Sequence, residues 1–377
     1  MSNRHPLIRK RRPEFERGND ELTLVDLFSG TGGLTLGVAM AAHEAGLALD
    51  VRLAVDFERS AIDAYRINFP ASNAVCQSVE ELFSGKTKTR ESAAQKRLRT
   101  EIGRVDVLVG GPPCQGHSNL NNHTRRRDPK NRLYLSMVRA AEAFRPSVVV
   151  IENVPAVLHD SDNVVQKARE QLSRAGYSIG DRVIPLVTFG VAQNRKRHVL
   201  LGILKERDPY GVSPIDFLAD GISKQRDLKW AIGDLADKEP ESALDEASQP
   251  NSENLRRMKY LLDHDEYDLP NKLRPKCHQG AHTYKAMYGR LKWDLPSPTI
   301  TSGFGSMGRG RFMHPSKLRC LTPHEAARVQ GFPDFFFLDV GASRNQLETI
   351  IGNAVPPQLT EVITRRLLRA GVLMRQP

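Results

Sequence analysis

A thiol sits in the stretch Gly110-Gly111-Pro112-Pro113-Cys114-Gln115-Gly116-His117-Ser118, directly after the apolar run Val105-Asp106-Val107-Leu108-Val109. Two prolines cannot continue a sheet ladder, and glycines let a ligand come close to the backbone. Cys114 is therefore expected at the carboxyl end of a buried strand, where open α/β sheets bind ligands. There it can serve as a nucleophile, given neighbouring cations that favour the thiolate. Other polar groups share this placement. Glu152 follows Val148-Val149-Val150-Ile151 and reads as an active-site acid. Asp56 closes the run Val51 to Val55, placed to accept hydrogen bonds from ribose hydroxyls, and the neighbouring Phe57 can cover a purine. Arg195 and Arg197 precede the apolar run His198 to Ile203; if that strand begins early they share one face, and near an anion or a base edge they become donors.

These groups need a sheet to hold them. Leu22 to Phe28 reads as a strand, Ser29-Gly30-Thr31-Gly32-Gly33 as a turn, and Leu34 to about Ala45 as a helix, the first unit of a Rossmann-like α/β sheet. The turn departs from the G-x-G-x-x-G pattern of dinucleotide sites, so an adenosine-containing ligand without a phosphate chain fits better. The polar segment His117 to Arg132, with Arg125-Arg126-Arg127 and Lys130, reads as a functional loop whose charge suits phosphates. Beyond about Lys205 the chain turns polar, with poor periodicity, as far as His314. This is the candidate second domain, with an exposed loop at Asp234 to Ser252 and a glycine run, Gly303 to Gly310, able to approach a nucleic-acid backbone. Thr322-Pro323-His324-Glu325 opens a helix with a capping pattern. Ile350 to Pro357 reads as a turn, and Gln358 to Leu373 as an amphipathic helix returning to the first domain. The expected organisation is a basic arm over 1–20, a catalytic and cofactor-binding domain over 21–204, a smaller recognition domain over 205–340 and a returning segment over 341–377. The arm reads as a solvated tail, with contact to phosphates as the second reading.

The 377 residues carry 55 Lys+Arg against 44 Asp+Glu, a formal net charge of +11, which points to a polyanionic partner. No run of eighteen apolar residues and no export signal occurs, so a soluble cytoplasmic protein without membrane contact is expected. Cys76, Cys114, Cys277 and Cys320 lack framework spacing, which suits a reducing compartment. Cys277, His282, Cys320 and His324 lack compact zinc-site spacing, and no metal is expected.

Taken together and in order, these stretches resemble the cytosine-C5 DNA methyltransferase family over nearly the whole chain. Asp26 to Gly33 is similar to its cofactor turn, Pro112-Pro113-Cys114-Gln115 to its nucleophile loop, and Glu152-Asn153-Val154 to its acid. Gln193, Arg195 and Arg197 resemble its Q-x-R-x-R element, Arg319 to Asp334 the helix that supports target recognition, and Gly352-Asn353-Ala354-Val355 the closing cofactor element. Two positions depart from the pattern. Gln77 and Ser78 stand where an acid commonly holds the adenine amine, and His117 stands where an aromatic is frequent.

The resemblance implies an S-adenosylmethionine-dependent enzyme that flips a cytosine from duplex DNA. Cys114 attacks carbon 6, Glu152 acts on N3, Arg195 supports O2, and Arg197 holds Glu152 or the loop. Phe28, Gly30, Gly32, Asp56, Phe57, Pro112 and Asn353 are then the cofactor residues, and Gln115, Ser118, Arg126, Gln193 and Thr299 the candidate DNA contacts. A bacterial origin, a cognate restriction endonuclease acting on the same sequence and a monomeric enzyme are further expectations. Two other readings stay open: an RNA cytosine-C5 methyltransferase, whose branch carries a Cys-Phe-Thr tripeptide matched by none of the four cysteines, and a non-catalytic DNA-binding regulator, which has no need of the thiol.

Overall fold

The computed structural model describes residues 5–83, 93–113, 133–208, 210–221, 224–279 and 286–373. The chain divides into two compact units, one of Pro13–Phe189, Lys196–Ile222 and Val355–Pro377, the other of Met1–Arg12, Gly190–Arg195 and Ser223–Ala354.

The first unit is built on a seven-stranded mixed sheet. Its strands are β1 (Asp20–Leu27), β2 (Leu47–Asp56), β3 (Ala74–Cys76), β4 (Val107–Gly110), β5 (Val148–Asn153) and β6 (Tyr177–Pro185) and, beyond the short β7 (Gln193–Asn194) of the other unit, β8 (Lys196–Leu204). Their order is β3-β2-β1-β4-β5-β8-β6. The pairs from β3 through to β5 are parallel, while β8 runs antiparallel to both β5 and β6. The central strands are continuous apolar runs because helices cover both faces. Leu27, Val55, Leu108, Val149, Ile151 and Leu200 lie in one buried cluster with Met137 and Val138 of the helix Leu133–Phe144. The helices α1 (Gly33–Glu44) and α2 (Arg59–Asn68) follow β1 and β2. The helix Gln358–Arg369 returns to this unit and fixes itself to α1, where the Thr360 hydroxyl donates to Leu34 O at 2.7 Å and Gly37 leaves room for Pro357 O. Because β1 has neighbours on both sides whose connections leave in opposite directions, the carboxyl ends of β1 and β4 open a crevice at the switch point.

The second unit has little sheet: β7 pairs in parallel with β9 (Ser297–Pro298). Its longer helices are Ser252–Asp263, Pro323–Val329 and Arg344–Asn353, joined largely by single turns. The helix Pro323–Val329 opens as its sequence prescribes. Thr322 accepts from the Glu325 amide at 3.1 Å and Glu325 returns the bond to the Thr322 amide at 2.9 Å. Arg319 then grips the buried Glu325 carboxylate with two bonds of 2.7 and 2.8 Å.

Two local expectations fail for physical reasons. Residues 5–19 are not a solvated tail: Leu7 and Phe15 are buried, Leu7 O accepts from the Asp334 amide at 2.8 Å, and Phe15 O from the Leu49 amide at 2.7 Å. Charge density in this stretch conceals two apolar anchors. Residues 350–353, expected in a turn, complete the helix Arg344–Asn353, because Ser343 and Gln346 form a capping box and Leu347, Ile350 and Ile351 supply a buried stripe. Among the described residues no helix is long and apolar enough to cross a membrane.

Candidate active site

At the end of β1 the chain turns through Phe28 at φ 57° and Gly30 at φ 53°, and Gly32, at φ 95°, caps α1. Among the described residues nothing lies within 4 Å of where a Gly30 side chain would stand, so this backbone can be approached by a ligand. The Gly30 amide donates to Asp56 Oδ2 at 2.8 Å, and the Glu58 amide donates to Asp56 Oδ1 at 2.9 Å. Asp56 is thereby held at the end of β2 with acceptor capacity to spare. Burial raises its pKa, while the bonds from Glu58 and Gly30 oppose that rise. Phe57, 67% exposed, stands beside this carboxylate. An open backbone turn, a fixed carboxylate and a bare aromatic face suit the ribose and purine of an adenosine. Where the adenine amine is expected to find an acid, the Gln77 side chain instead donates to Glu81 Oε2 at 3.3 Å.

Beneath the turn lies a buried chain of hydroxyls. Thr35 Oγ1 lies 2.6 Å from Asp26 Oδ2 and 2.7 Å from the Tyr65 hydroxyl, so the three groups form one hydrogen-bonded chain. Burial pushes the Asp26 carboxyl up to about 8, with Asp56 adding to the shift.

The second strand end carries the acid. Glu152 is 5% exposed, and Arg197 Nε lies 2.5 Å from its Oε1. The antiparallel register explains the contact: Glu152 faces Val199 on β8, and Arg197 lies two residues along on the same face. Burial lowers the pKa of Arg197, and Glu152 counters it, so the guanidinium keeps its charge at any physiological pH. The next residue, His198, is fully buried against Asp181 at 3.0 Å and pushed down to about 4 by burial, which leaves it neutral. Arg197 is therefore the cation that faces Glu152. A side chain on Gly111 would come within 3.0 Å of Glu152 Oε2, so the turn after β4 passes directly over the carboxylate. The Asn153 amide pins that turn by donating to Pro112 O at 3.0 Å. Sequence reasoning passed over Asn153, although its place one residue after the acid at a strand end was the available signal.

The expected residues fall into two groups. Phe28, Gly30, Gly32, Asp56, Phe57, Pro112, Glu152 and Arg197 belong to the sheet unit. Arg195, Gln193, Thr299 and Asn353 belong to the other, because the ladder breaks at Arg195 between β7 and β8. Arg195 is buried and donates to Ile300 O at 2.8 Å, with Gly352 O at 3.5 Å near the end of a helix. Gln193 donates to Gln330 Oε1 and accepts from the Ile300 amide, each at 2.9 Å. Thr299 donates to Asn194 O at 3.0 Å, and Asn353 is exposed. Cys114, Gln115, Ser118 and Arg126 lie outside the described residues, as do His117 and His282. Among the other zinc candidates, His324 is bound by Asp245 at 2.7 Å and Asp334 at 2.9 Å.

Comparison with known proteins gives a consistent result. The family model described as C-5 cytosine-specific DNA methylase matches residues 22–369. The chain is 39% identical over 363 residues to the Type II methyltransferase M1.BsuMI of Bacillus subtilis (strain 168), covering 96% of this chain and 83% of that protein. It is 32% identical over 360 residues to the Type II methyltransferase M1.HphI of Haemophilus parahaemolyticus, covering 92% and 87%. A solved structure described as a DNA modification methyltransferase encoded within an E. coli prophage superposes with a TM-score of 0.64 at 25% identity, covering 92% of this chain and 99% of that one.

Proposed function

The chain belongs to the C-5 cytosine-specific DNA methylase family, and from that premise we propose that it transfers a methyl group from S-adenosylmethionine to C5 of a cytosine flipped out of a specific duplex sequence. The observation that carries the reading is the buried Glu152 carboxylate, matched with Arg197 and overlain by the Gly111 turn three residues before Cys114.

Carbon 5 of cytosine is a poor nucleophile until carbon 6 has been attacked. The Cys114 thiolate forms the S–C6 bond, and negative charge moves onto the pyrimidine. Glu152 meets that charge at N3, by hydrogen bond or proton transfer, where it develops. Arg197 holds the carboxylate in place, and Arg195 supports the O2 carbonyl. When bound, S-adenosylmethionine supplies an electrophilic methyl group. Asp56 holds the ribose hydroxyls, Phe57 and Phe28 lie against the purine, and Gly30, Gly32, Pro112 and Asn353 border the remainder. After the C5–CH3 bond forms, loss of the C5 proton expels Cys114 and restores the aromatic ring. Flipping the base costs a few kcal/mol, which contacts to the duplex must offset. Gln115, Ser118, Arg126, Gln193 and Thr299 are assigned to those contacts, and the excess positive charge supplies salt-dependent affinity.

In this reading 21–204 is the catalytic part and 205–340 the recognition part, in a monomeric, cytoplasmic bacterial enzyme paired with an endonuclease of the same specificity. Bisulfite sequencing of plasmid DNA from cells expressing the protein, beside a Cys114→Ser control, tests it. Cytosines protected in one short context and absent from the control are the expected result; full conversion in both samples, with soluble protein, overturns the reading.

A further inference from the structure

The second unit carries a half-open pocket of about 550 Å³ between the segment that starts at Ser248, the glycine run from Ser302 to Arg309, and the helix Arg344–Asn353. Glu348, 8% exposed, projects from that helix into its wall. The Ser248 hydroxyl donates to Glu348 Oε1 at 3.2 Å, and among the described residues no Lys, Arg or His forms an ion pair with the carboxylate. Gly305 lets the backbone lie against it: a side chain there would come within 2.1 Å of Glu348 Oε1. Arg309 lies along the opposite part of the glycine run, packed on Gly303. Burial pushes the Cys320 thiol in the same wall up to about 12, with Glu348 adding to the shift, so it stays a neutral SH.

A carboxylate in a pocket wall with one neutral partner has acceptor capacity left for a further donor. The site lies in a DNA methylase, so the parts of DNA can be sorted by chemistry. Phosphates are repelled, and deoxyribose within a strand has no hydroxyl to donate. Donors are left on the bases, and of those that face the major groove cytosine N4 is the one for which an acidic side chain is the matching acceptor, since adenine sets the acceptor N7 beside its amine. We propose that this pocket reads one base pair of the recognition sequence, with Glu348 accepting from cytosine N4, oriented by Ser248 and with Gly305 allowing close approach. The inference rests on the reading under Proposed function and names a specificity-determining residue for it.

The test is a binding selection on duplexes with randomised positions, carried out with wild type and Glu348→Gln, the bound pool being sequenced and the same library also bisulfite-treated after incubation with cofactor. A Gln at this buried site keeps the shape and loses the charge. The expected result is that one position preferring cytosine loses that preference by about tenfold, with adenine, the base that glutamine matches, gaining there, while the remaining positions are unchanged. The proposal is overturned if the variant enriches the wild-type sequence at every position, if all positions relax equally, or if the wild type enriches no sequence. A wild type that selects a sequence without methylating it overturns the reaction instead. Should Glu348→Gln fail to fold, Ser248→Ala decides by the same criterion, with a smaller relaxation expected at that same position.

Discussion

The two units hold their polar groups in different ways. In the sheet unit the candidate groups are delivered by strand ends and held by neighbours on those ends: Asp56 by the Gly30 and Glu58 amides, Glu152 by Arg197 across the β5–β8 ladder, and Pro112 O by the Asn153 side chain. In the second unit, with little ladder to lean on, arginines do the fixing. Arg290 donates to Leu261 O, Arg311 to Tyr267 O, Arg274 to Leu269 O, and Arg328 joins Asp334 and Asp234. A unit with a long ladder can rest on regular hydrogen bonding. A unit with little sheet needs side chains to hold irregular backbone, because buried carbonyls must find donors somewhere.

The contrast can be broken at several points. The largest effect is expected from Cys114→Ser, which should reduce methyl incorporation to background while affinity for duplex DNA is kept; retained incorporation would separate the thiol from the chemistry. Next comes Arg328→Met. Arg328 is 1% exposed and bonded to the largely covered Asp334 at 2.7 Å and to the exposed Asp234 at 3.2 Å, so removing it takes one of two cationic partners from Asp334 and leaves His324, at a cost of about 1–3 kcal/mol, readable in urea denaturation. A loss below 1 kcal/mol, the range of exposed pairs, would show that the arginine scaffold is dispensable.

Two buried acids give the comparison a pH signature. Asp26 in the sheet unit is raised by burial from 3.8 to about 8, so the stability it contributes is complete below about pH 4 and lost as pH rises through 8. Asp334 in the second unit is the reverse. Burial works against its charge, but His324 and Arg328 hold it down to about 2, so its contribution is present above about pH 4 and lost as pH falls through 2. Asp26→Asn should flatten the fall of the melting temperature between pH 4 and 8; an unchanged slope would remove Asp26 as its cause. The smallest effect is expected from Phe57→Ala, which should weaken S-adenosylhomocysteine binding in calorimetry by about 1 kcal/mol, or roughly fivefold, if the exposed ring covers the purine.

The strands of the sheet unit were largely legible in the sequence because strand ends are a local signal. Val148 to Ile151 followed by Glu152, and Val51 to Val55 followed by Asp56, announce both the element and the group it presents. The pairing of Glu152 with Arg197 was one of two roles that the family resemblance implied for Arg197, and no local pattern encodes it, because it depends on β8 entering antiparallel beside β5. Leu7 and Phe15 were hidden by surrounding charge, and the end of the helix Arg344–Asn353 by a glycine and two prolines that look like a turn. Glu348 was invisible for the same reason as the rest of the second unit: its setting is made by segments a hundred residues apart, as its bond from Ser248 shows.

The way the chain passes between the units bears on how such enzymes can be recombined. Ser223–Ala354 is continuous, which invites exchange of that block between relatives. Yet Gly190–Arg195 also belongs to the second unit, and Gln193 reaches Gln330 and the Ile300 amide while Arg195 reaches Ile300 O. A transplant cut only at 223 and 354 would leave this six-residue clasp facing a foreign lock. A chimaera that carries both pieces moves the clasp together with the block it fastens.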